Sequence, residues 1–280
     1  MEEMSSKALA SLEGKNLLKT VEFLQDQGYE VVYVALYGAQ NYNLQREGSD
    51  FDYKAVVVPK LEDVVFNVKP TSVTLNLPEI DGQVDVKDIR LMIDQWKKGA
   101  SNFVELLFSD WFRINPEYYL LMSWFRENAE QIAFANVPSA VKAMGGMIEE
   151  KFHALDHPYP VQVDEVNEFG YAAKQLSHEM RLASMLKRFM HSSYAELLKP
   201  SGVDKEALKE WDDIREIKTH KGCFSKEEAI AFGQALRDWS KAQVDNLLKV
   251  APEVNEKVIE KMDRYKFAII KLALQKELKE

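Results

Sequence analysis

The sequence predicts an α+β fold: a small mixed β-sheet with helices, followed by a helical carboxy-terminal region. Before about residue 110, helix-like and strand-like patterns alternate along the chain. After that point, nearly every segment has helical periodicity. We therefore expect two domains, over residues 1–110 and 111–280, and a length of 280 residues is sufficient for both.

The first part of the chain contains one helix-like segment and four strand-like segments. Residues 6–27 carry apolar side chains at approximately helical spacing, and Gly28 follows as a stop. The strand-like segments are short, rich in β-branched and aromatic residues, and bounded by glycine, proline or turn dipeptides. They span residues 31–37, 51–58, 71–77 and 83–89. Asp81-Gly82 joins the last two, which predicts a hairpin.

Helical patterns dominate the second part of the chain. Two predicted helix starts have the spacing of a capping box, Asn102 with Glu105 and Ser225 with Glu228. The other predicted features, in chain order, are a loop over residues 156–160, a long helix over about 163–191, a break at 200–202 and a last amphipathic helix over 255–278.

Charge and composition exclude several classes of function. The chain has 45 acidic and 36 basic side chains, a net charge of −9, so a polyanionic partner would need a local basic patch. The single cysteine, Cys223, allows neither an internal disulfide nor a thiolate zinc cluster. Met1-Glu2-Glu3-Met4 is unlike a secretory signal, and no apolar stretch reaches the roughly 20 residues of a bilayer span. We therefore expect a cytoplasmic protein with no membrane partner.

The most informative stretch runs from Tyr37 to Pro59. The first strand ends at Gly38, and Asp50 and Asp52 begin the next strand. Alternation along a strand places Asp50, Asp52 and Lys54 on one face. Paired carboxylates on a rigid element suit Mg²⁺, and a glycine backbone can approach a phosphate closely. Asp-x-Asp alone is common on exposed edge strands, so the functional interpretation depends on the whole composite pattern.

This composite pattern resembles the nucleotidyltransferase superfamily that includes DNA polymerase beta. The likeness is strongest to the predicted nucleotidyltransferases of bacteria and phages. The residues that carry it are Tyr37-Gly38-Ala39, Ser49-Asp50-Phe51-Asp52-Tyr53-Lys54 and Pro59. Ala39 is a departure, because the family usually has a serine there whose hydroxyl helps to hold the triphosphate.

The resemblance implies a small mixed-sheet nucleotidyltransferase core over residues 1–110 and a helical domain over 111–280 that closes on the substrate. The implied activity is transfer of a nucleoside monophosphate from a triphosphate such as ATP to an acceptor hydroxyl, with release of pyrophosphate. An RNA end, a small molecule and a protein are the candidate acceptors. The implied cofactor is a pair of Mg²⁺ ions, with Mn²⁺ as an alternative. The long helices leave room for a homodimer.

The resemblance also implies roles for individual residues. Asp50, Asp52 and a third carboxylate would be the catalytic metal ligands. The implied nucleotide-binding residues near them are Gly38, Ala39, Ser49 and Lys54.

The third carboxylate is assigned to Asp85, on the strand face that it shares with Lys87. Asp88 is the competing choice, and Asp81 in the hairpin turn is a weaker one. The segment Asn102-Phe103-Val104-Glu105-Leu106-Leu107-Phe108, which resembles a pattern that family members have after this strand, favours Asp85. Glu105 within that pattern is assigned mainly to helix capping.

A second cluster consists of Lys174, His178 and Arg181 on the long predicted helix. Their spacing of i, i+4 and i+7 places them along one stripe. Such a stripe is usually a solvated face, and the alternative is a cationic wall for the triphosphate or an acceptor. The resemblance adds a similar Lys-x-x-x-His-x-x-Arg pattern, so these residues join the nucleotide-binding set.

A different class of function is a weak or inactive family member that acts as an antitoxin-like interaction module. Ala39 supports this alternative, because the hydroxyl for the triphosphate is missing. Retention of Asp50, Asp52 and Asp85 argues against it, since an inactive descendant has no need of three acids around one site.

Overall fold

The computed structural model describes residues 6–279, which divide into two compact units. The first contains residues 6–136 and 255–279, and the second is Val137–Val254. This division differs from the one expected at residue 110. The last helix belongs to the first unit because it packs there, with Tyr265 stacked on Trp124 at 4.6 Å between ring centroids.

The first unit is built on a mixed sheet. Its strands are β1 (Val31–Tyr37), β2 (Phe51–Val57), β3 (Ser72–Asn76), β4 (Gly82–Asp88) and β5 (Phe112–Ile114). The strand order is β3-β4-β2-β1-β5; β2 and β4 are parallel, and the other neighbours are antiparallel. The predicted α+β class and the four predicted strands are confirmed. β5 was not predicted, because three residues are too few to show a periodic pattern.

Helices make up most of the remainder. In chain order they are α1 (Ser6–Ala10), α2 (Leu12–Asp26), α3 (Leu61–Val65), α4 (Ile89–Lys97), α5 (Ser101–Val104), α6 (Tyr119–Glu127), α7 (Ala129–Ala133), α8 (Val137–His153), α9 (Val163–Phe169), α10 (Ala173–Arg188), α11 (Tyr194–Leu198), α12 (Lys205–Thr219), α13 (Lys226–Val250) and α14 (Glu256–Glu277). Short 3-10 helices cover Gly38–Tyr42, Glu105–Phe108, Pro116–Tyr118 and Pro160–Gln162. None of the helices in residues 6–279 has the length and hydropathy to traverse a bilayer.

Two predicted helices are interrupted in the structure. The segment over residues 6–27 is divided at Ser11, whose hydroxyl accepts from the Gly14 backbone N–H at 3.2 Å and begins α2. The prediction of one helix over residues 163–191 is wrong, because α9 ends at Gly170 in the left-handed conformation (φ 81°). The capping box of Ser225 with Glu228 at the start of α13 and the last amphipathic helix are confirmed.

Alternation along the strands sorts the side chains of the sheet onto two faces. On one face, Leu36 and Tyr53 pack with Leu17 and Leu24 of α2 in an apolar cluster. The opposite face is polar near the end of β1, where Tyr37 lies across from Asp52, and Lys54 lies across from Asp85. The sheet therefore buries apolar area on one side and gathers charged side chains on the other.

Candidate active site

A tight turn after β1 forms one side of the candidate site. Gly38 opens the 3-10 helix with φ 81°, a conformation that glycine adopts without the clash caused by a Cβ atom. A Cβ built at Gly38 would lie 3.9 Å from Asp52 Oδ2, so this glycine lies against the carboxylate. Gln40 is buried in the turn and donates through Nε2 to the Asp50 carbonyl at 2.9 Å. This hydrogen bond connects the turn to the start of β2.

The positive φ angle of Gly38 leads to a first prediction. We expect Gly38→Ala to lower the free energy of unfolding by about 1–2 kcal/mol, because an L side chain is strained at this backbone conformation. Gly146→Ala is the matched control: Gly146 lies in α8, and a Cβ added there would meet no neighbouring side chain within 4 Å, so alanine should be neutral or stabilising. Urea denaturation of both variants checks the prediction. Equal stability of Gly38→Ala and wild type would contradict it.

The Tyr37 hydroxyl is affected by the charges of four nearby carboxylates. Burial raises the pKa of Tyr37, and the negative charges of Asp52, Asp85, Glu105 and Asp50 raise it further. Asp50 is exposed, whereas Asp52 is half-buried beside the turn. The structure therefore brings together the two acids predicted on β2 and the acid predicted on β4.

Two lysines lie within this group of acids. Lys54 is 4% exposed, and its Nζ lies 3.6 Å from Asp85 Oδ2 and 3.4 Å from the centroid of the Tyr37 ring. Burial lowers the pKa of Lys54, an effect that the neighbouring Glu105 and Asp85 carboxylates oppose. Lys87 Nζ lies 2.9 Å from Asp85 Oδ1 and donates to Ser72 Oγ at 2.7 Å. Both oxygens of Asp85 thus face an ammonium group.

Glu105 is a site residue that the sequence interpretation missed. It was assigned to a capping box with Asn102, and that assignment is wrong because the residue at the N-cap of α5 is Ala100. Glu105 instead begins a 3-10 helix, is 2% exposed, and accepts from the Gly38 backbone N–H at 3.3 Å. Only the family-like pattern over residues 102–108 pointed to this position, and it did not indicate the contact.

The structure also distinguishes Asp85 from Asp88 and Asp81, the other candidates for the third carboxylate. Asp88 is buried at the start of α4, where it accepts from the Arg90 backbone N–H at 2.8 Å and pairs with the Arg90 guanidinium at 2.7 Å. Asp81 is exposed in the hairpin turn. The Ser49 hydroxyl accepts from the Arg46 backbone N–H at 2.9 Å and so closes the turn before β2. Of Asp81, Asp85 and Asp88, only Asp85 is therefore close to Tyr37, through the Lys54 ammonium that contacts both.

The donor set at β2 fits a magnesium ion that arrives with a nucleotide. Mg²⁺ in such sites is held by one or two carboxylates, with substrate phosphates and water completing the shell. Asp50 and Asp52 provide those oxygens at the start of one strand. Across residues 6–279, no group of three or more His, Cys, Asp or Glu side chains has the arrangement of a metal site, and Asp85 is paired with two lysines. Asp85 in this arrangement does not fit as the third ligand.

The second predicted cluster lies in the other compact unit. Lys174, His178 and Arg181 are all on α10, within the second unit. The pKa of His178 lies well below its usual range because of burial and the nearby charges of Arg181, Lys174, Lys151 and Lys218. His178 is therefore neutral at pH 7, and it lies among cationic side chains from α8, α10 and α12. Lys151 and Lys218 were not predicted, because they lie on separate helices.

Comparisons with known proteins identify no family for this chain. No family model and no curated protein sequence matches it. One solved structure that resembles it is a nucleotidyltransferase-like protein from Exiguobacterium sibiricum, with 9% sequence identity and a TM-score of 0.32. The match covers 93% of this chain and 80% of that protein. This is a distant resemblance, and a TM-score of this size carries no argument about activity.

Proposed function

We propose that this protein is a metal-dependent nucleotidyltransferase, which transfers a nucleoside monophosphate from a nucleoside triphosphate to an acceptor hydroxyl. The observation that carries the proposal is the placement of the acids at the Gly38 turn: Asp52 lies across from Tyr37 and against Gly38, Asp50 immediately precedes β2, and Lys54 over the Tyr37 ring contacts Asp85. A glycine turn suits close approach of phosphate oxygens, and adjacent carboxylates suit the metal that accompanies a triphosphate. This combination supports phosphoryl chemistry better than any single residue does.

Each residue has a role in the proposed mechanism. Asp50 and Asp52 would hold Mg²⁺, which when bound neutralises triphosphate charge and orients the phosphates. The backbone N–H groups of Gly38 and Ala39 would donate to phosphate oxygens. Asp85 would accept the proton of the acceptor hydroxyl. The acceptor oxygen then bonds to the α-phosphorus as the bond from that phosphorus to pyrophosphate breaks, in line with the attack.

The direct test of this function is a transfer assay with labelled nucleotides. The protein is incubated with each α-labelled nucleoside triphosphate, Mg²⁺ or Mn²⁺, and total RNA, a small-molecule cell extract or no added acceptor. Label on RNA, on the polypeptide or on a small molecule identifies the acceptor class, and pyrophosphate release identifies the bond that breaks. Absence of transfer with all four triphosphates and both metals would overturn the proposal.

A non-catalytic interaction module is the second candidate, and two observations favour it. Both oxygens of Asp85 face lysines, Lys54 and Lys87, and Ala39 lacks the hydroxyl that family members usually have. A module of this kind would bind neither triphosphate nor divalent metal at Asp50 and Asp52. Metal-dependent triphosphate binding that these two aspartates control therefore discriminates between the candidates.

The cationic cluster on the second unit supports RNA as the candidate acceptor. We expect Lys174→Ala combined with Arg181→Ala to weaken binding of a single-stranded RNA oligonucleotide and to lower its logarithmic salt slope by about 1.4, because about 0.7 counterion is released per phosphate contact. Fluorescence anisotropy across a salt series measures both quantities.

The matched control for this experiment has the same change in net charge. Lys205 and Lys209 are exposed on α12, and replacing both by alanine also removes two positive charges. We expect this control to leave the salt slope nearly unchanged. An equal loss in the control and in the Lys174 and Arg181 variant would show that overall charge, not the cluster, governs RNA binding.

A further inference from the structure

Lys54 is a buried lysine within the acidic group of the candidate site. Its Nζ lies 3.6 Å from Asp85 Oδ2, over the Tyr37 ring, and 5.3 Å from the centroid of Phe103. The carboxylates of Asp52 and Glu105 also act on it. A buried ammonium held by ring faces and several carboxylates is a counter-ion built into the site.

Glu105 lies beside the Gly38 turn, where the phosphates of a triphosphate would bind. The Gly38 N–H is the backbone donor at the glycine turn, where a phosphate oxygen would be bound. In the structure it donates to Glu105 Oε2 at 3.3 Å, and Glu105 is almost fully buried. The turn therefore already holds an anion that belongs to the chain.

We propose that Lys54 and Glu105 are internal competitors for the metal and the phosphate, and that both side chains must move before a metal-bound triphosphate can bind. This inference rests on the proposed function for the identity of the ligands. The exchange would also complete the site: when Lys54 leaves Asp85, Oδ2 of that carboxylate becomes available to a reacting group, while Oδ1 stays paired with Lys87. The four-carbon stem of Lys54 allows its ammonium to turn toward the phosphates that arrive.

The first test concerns metal binding without nucleotide. Mn²⁺ affinity is measured by electron paramagnetic resonance on the full chain, for wild type, Lys54→Met and the control Lys19→Met. Lys19 forms an exposed pair with Glu79 at 3.3 Å, so the control removes the same charge outside the site. We expect Lys54→Met to bind Mn²⁺ at least about tenfold more tightly, because one positive charge within a few ångströms of the ion is removed. Unchanged or weaker binding would overturn the proposal.

The second test concerns the phosphate side and uses inorganic tripolyphosphate without divalent metal. We expect Glu105→Gln to bind it several-fold more tightly by calorimetry, because the amide still fits beside Gly38 but carries no negative charge. Glu79→Gln, at an exposed carboxylate, is the control and should resemble wild type. Unchanged or weaker tripolyphosphate binding by Glu105→Gln would overturn this half of the proposal, as would a loss of Mn²⁺ affinity of tenfold or more, which would make Glu105 a metal ligand.

A third measurement uses only the wild-type chain, so that it does not depend on folding of the variants. Acylation of Lys54 is followed by mass spectrometry with and without Mn²⁺. We expect Mn²⁺ to increase the labelling of Lys54 several-fold relative to Lys19, because the displaced ammonium becomes exposed. No increase would overturn the proposal.

These measurements separate the inference from the proposed function. None of them requires transfer. Tighter Mn²⁺ binding by Lys54→Met without any transfer by wild type would uphold the competition and refute the enzyme. Transfer by wild type, together with equal Mn²⁺ affinity of wild type and Lys54→Met, would support the enzyme and refute the competition.

Discussion

Replacement of both Asp50 and Asp52 by asparagine is expected to reduce nucleotidyl transfer by about 10³-fold or more. A bound metal contributes several kcal/mol to stabilisation of the transferring phosphoryl group, and each 1.4 kcal/mol or so is a factor of ten in rate. Asparagine keeps the size of the side chain but removes the charge that holds the ion. The measurement is steady-state pyrophosphate release, together with the Mn²⁺ titration.

The control for this experiment lies in the same sheet. Asp81→Asn removes an exposed carboxylate and leaves an Asn-Gly dipeptide, which suits the hairpin turn between β3 and β4 as well as Asp-Gly does. We expect this variant to keep full activity and stability. Transfer by the double variant at the wild-type rate would show that Asp50 and Asp52 are not metal ligands.

The second large effect concerns a buried acid in the second unit. Glu179 on α10 is 0% exposed, and neither carboxylate oxygen has a hydrogen-bond partner among the described residues. α13 passes close by at Gly233, where a Cβ would come within 3.0 Å of Glu179 Oε2. Burial and the negative charge of Glu149 raise the pKa of Glu179 to about 8, and the positive charge of Arg237 opposes that shift.

The sign of the resulting pH dependence follows from linkage. The pKa of Glu179 is raised on folding from 4.5 to about 8, so its contribution to stability is fully present below pH 4.5 and is lost as the pH rises through 8. We expect Glu179→Gln to match wild type near pH 5 and to exceed it at pH 9 by about 3–5 kcal/mol in the free energy of unfolding. Urea denaturation at pH 5, 7 and 9, with hydrogen exchange of α10, measures the difference.

Glu168→Gln is the control for the effect of charge alone, because Glu168 is exposed on α9. Its stability should follow wild type at every pH. Because the pKa of His178 is lowered, this residue reduces the stability of the folded protein at pH values below the usual pKa of histidine. Both proteins carry this histidine, so its effect cancels in the comparison. A constant difference between Glu179→Gln and wild type across the pH range would show that Glu179 is ionised throughout.

Four strands and the arrangement of side chains along β2 could be predicted because their information is local. Each of the four predicted strands has a short apolar pattern bounded by Gly, Pro or Asp-Gly, and each boundary lies within one residue of the observed one. Alternation alone placed Asp52 and Lys54 on one face, and the register with Asp85 agrees with it. These predictions depend on neighbours in the chain and need no knowledge of the fold.

The missed features depend on contacts between distant segments. β5 is three residues long and exists because β1 offers a free edge, with Tyr33 paired to Ile114. The break at Gly170 interrupts a helical pattern that remains periodic on both sides of it. The observed division of the chain differs from the expected one because α14 packs on the first unit, although its sequence resembles that of the other helices.

The sequence by itself determined four of the five strands and the chemistry available: a glycine turn, and carboxylates at fixed spacing on one strand face. Only the tertiary structure decided which partners those groups have. It placed Glu105 against Gly38, separated by 67 positions, and Lys54 against Asp85. Local propensity acts over a few residues, whereas charge pairing in a buried site depends on three-dimensional proximity and desolvation. The same pattern can therefore predict an acidic site without predicting the counter-ions that the chain supplies to it.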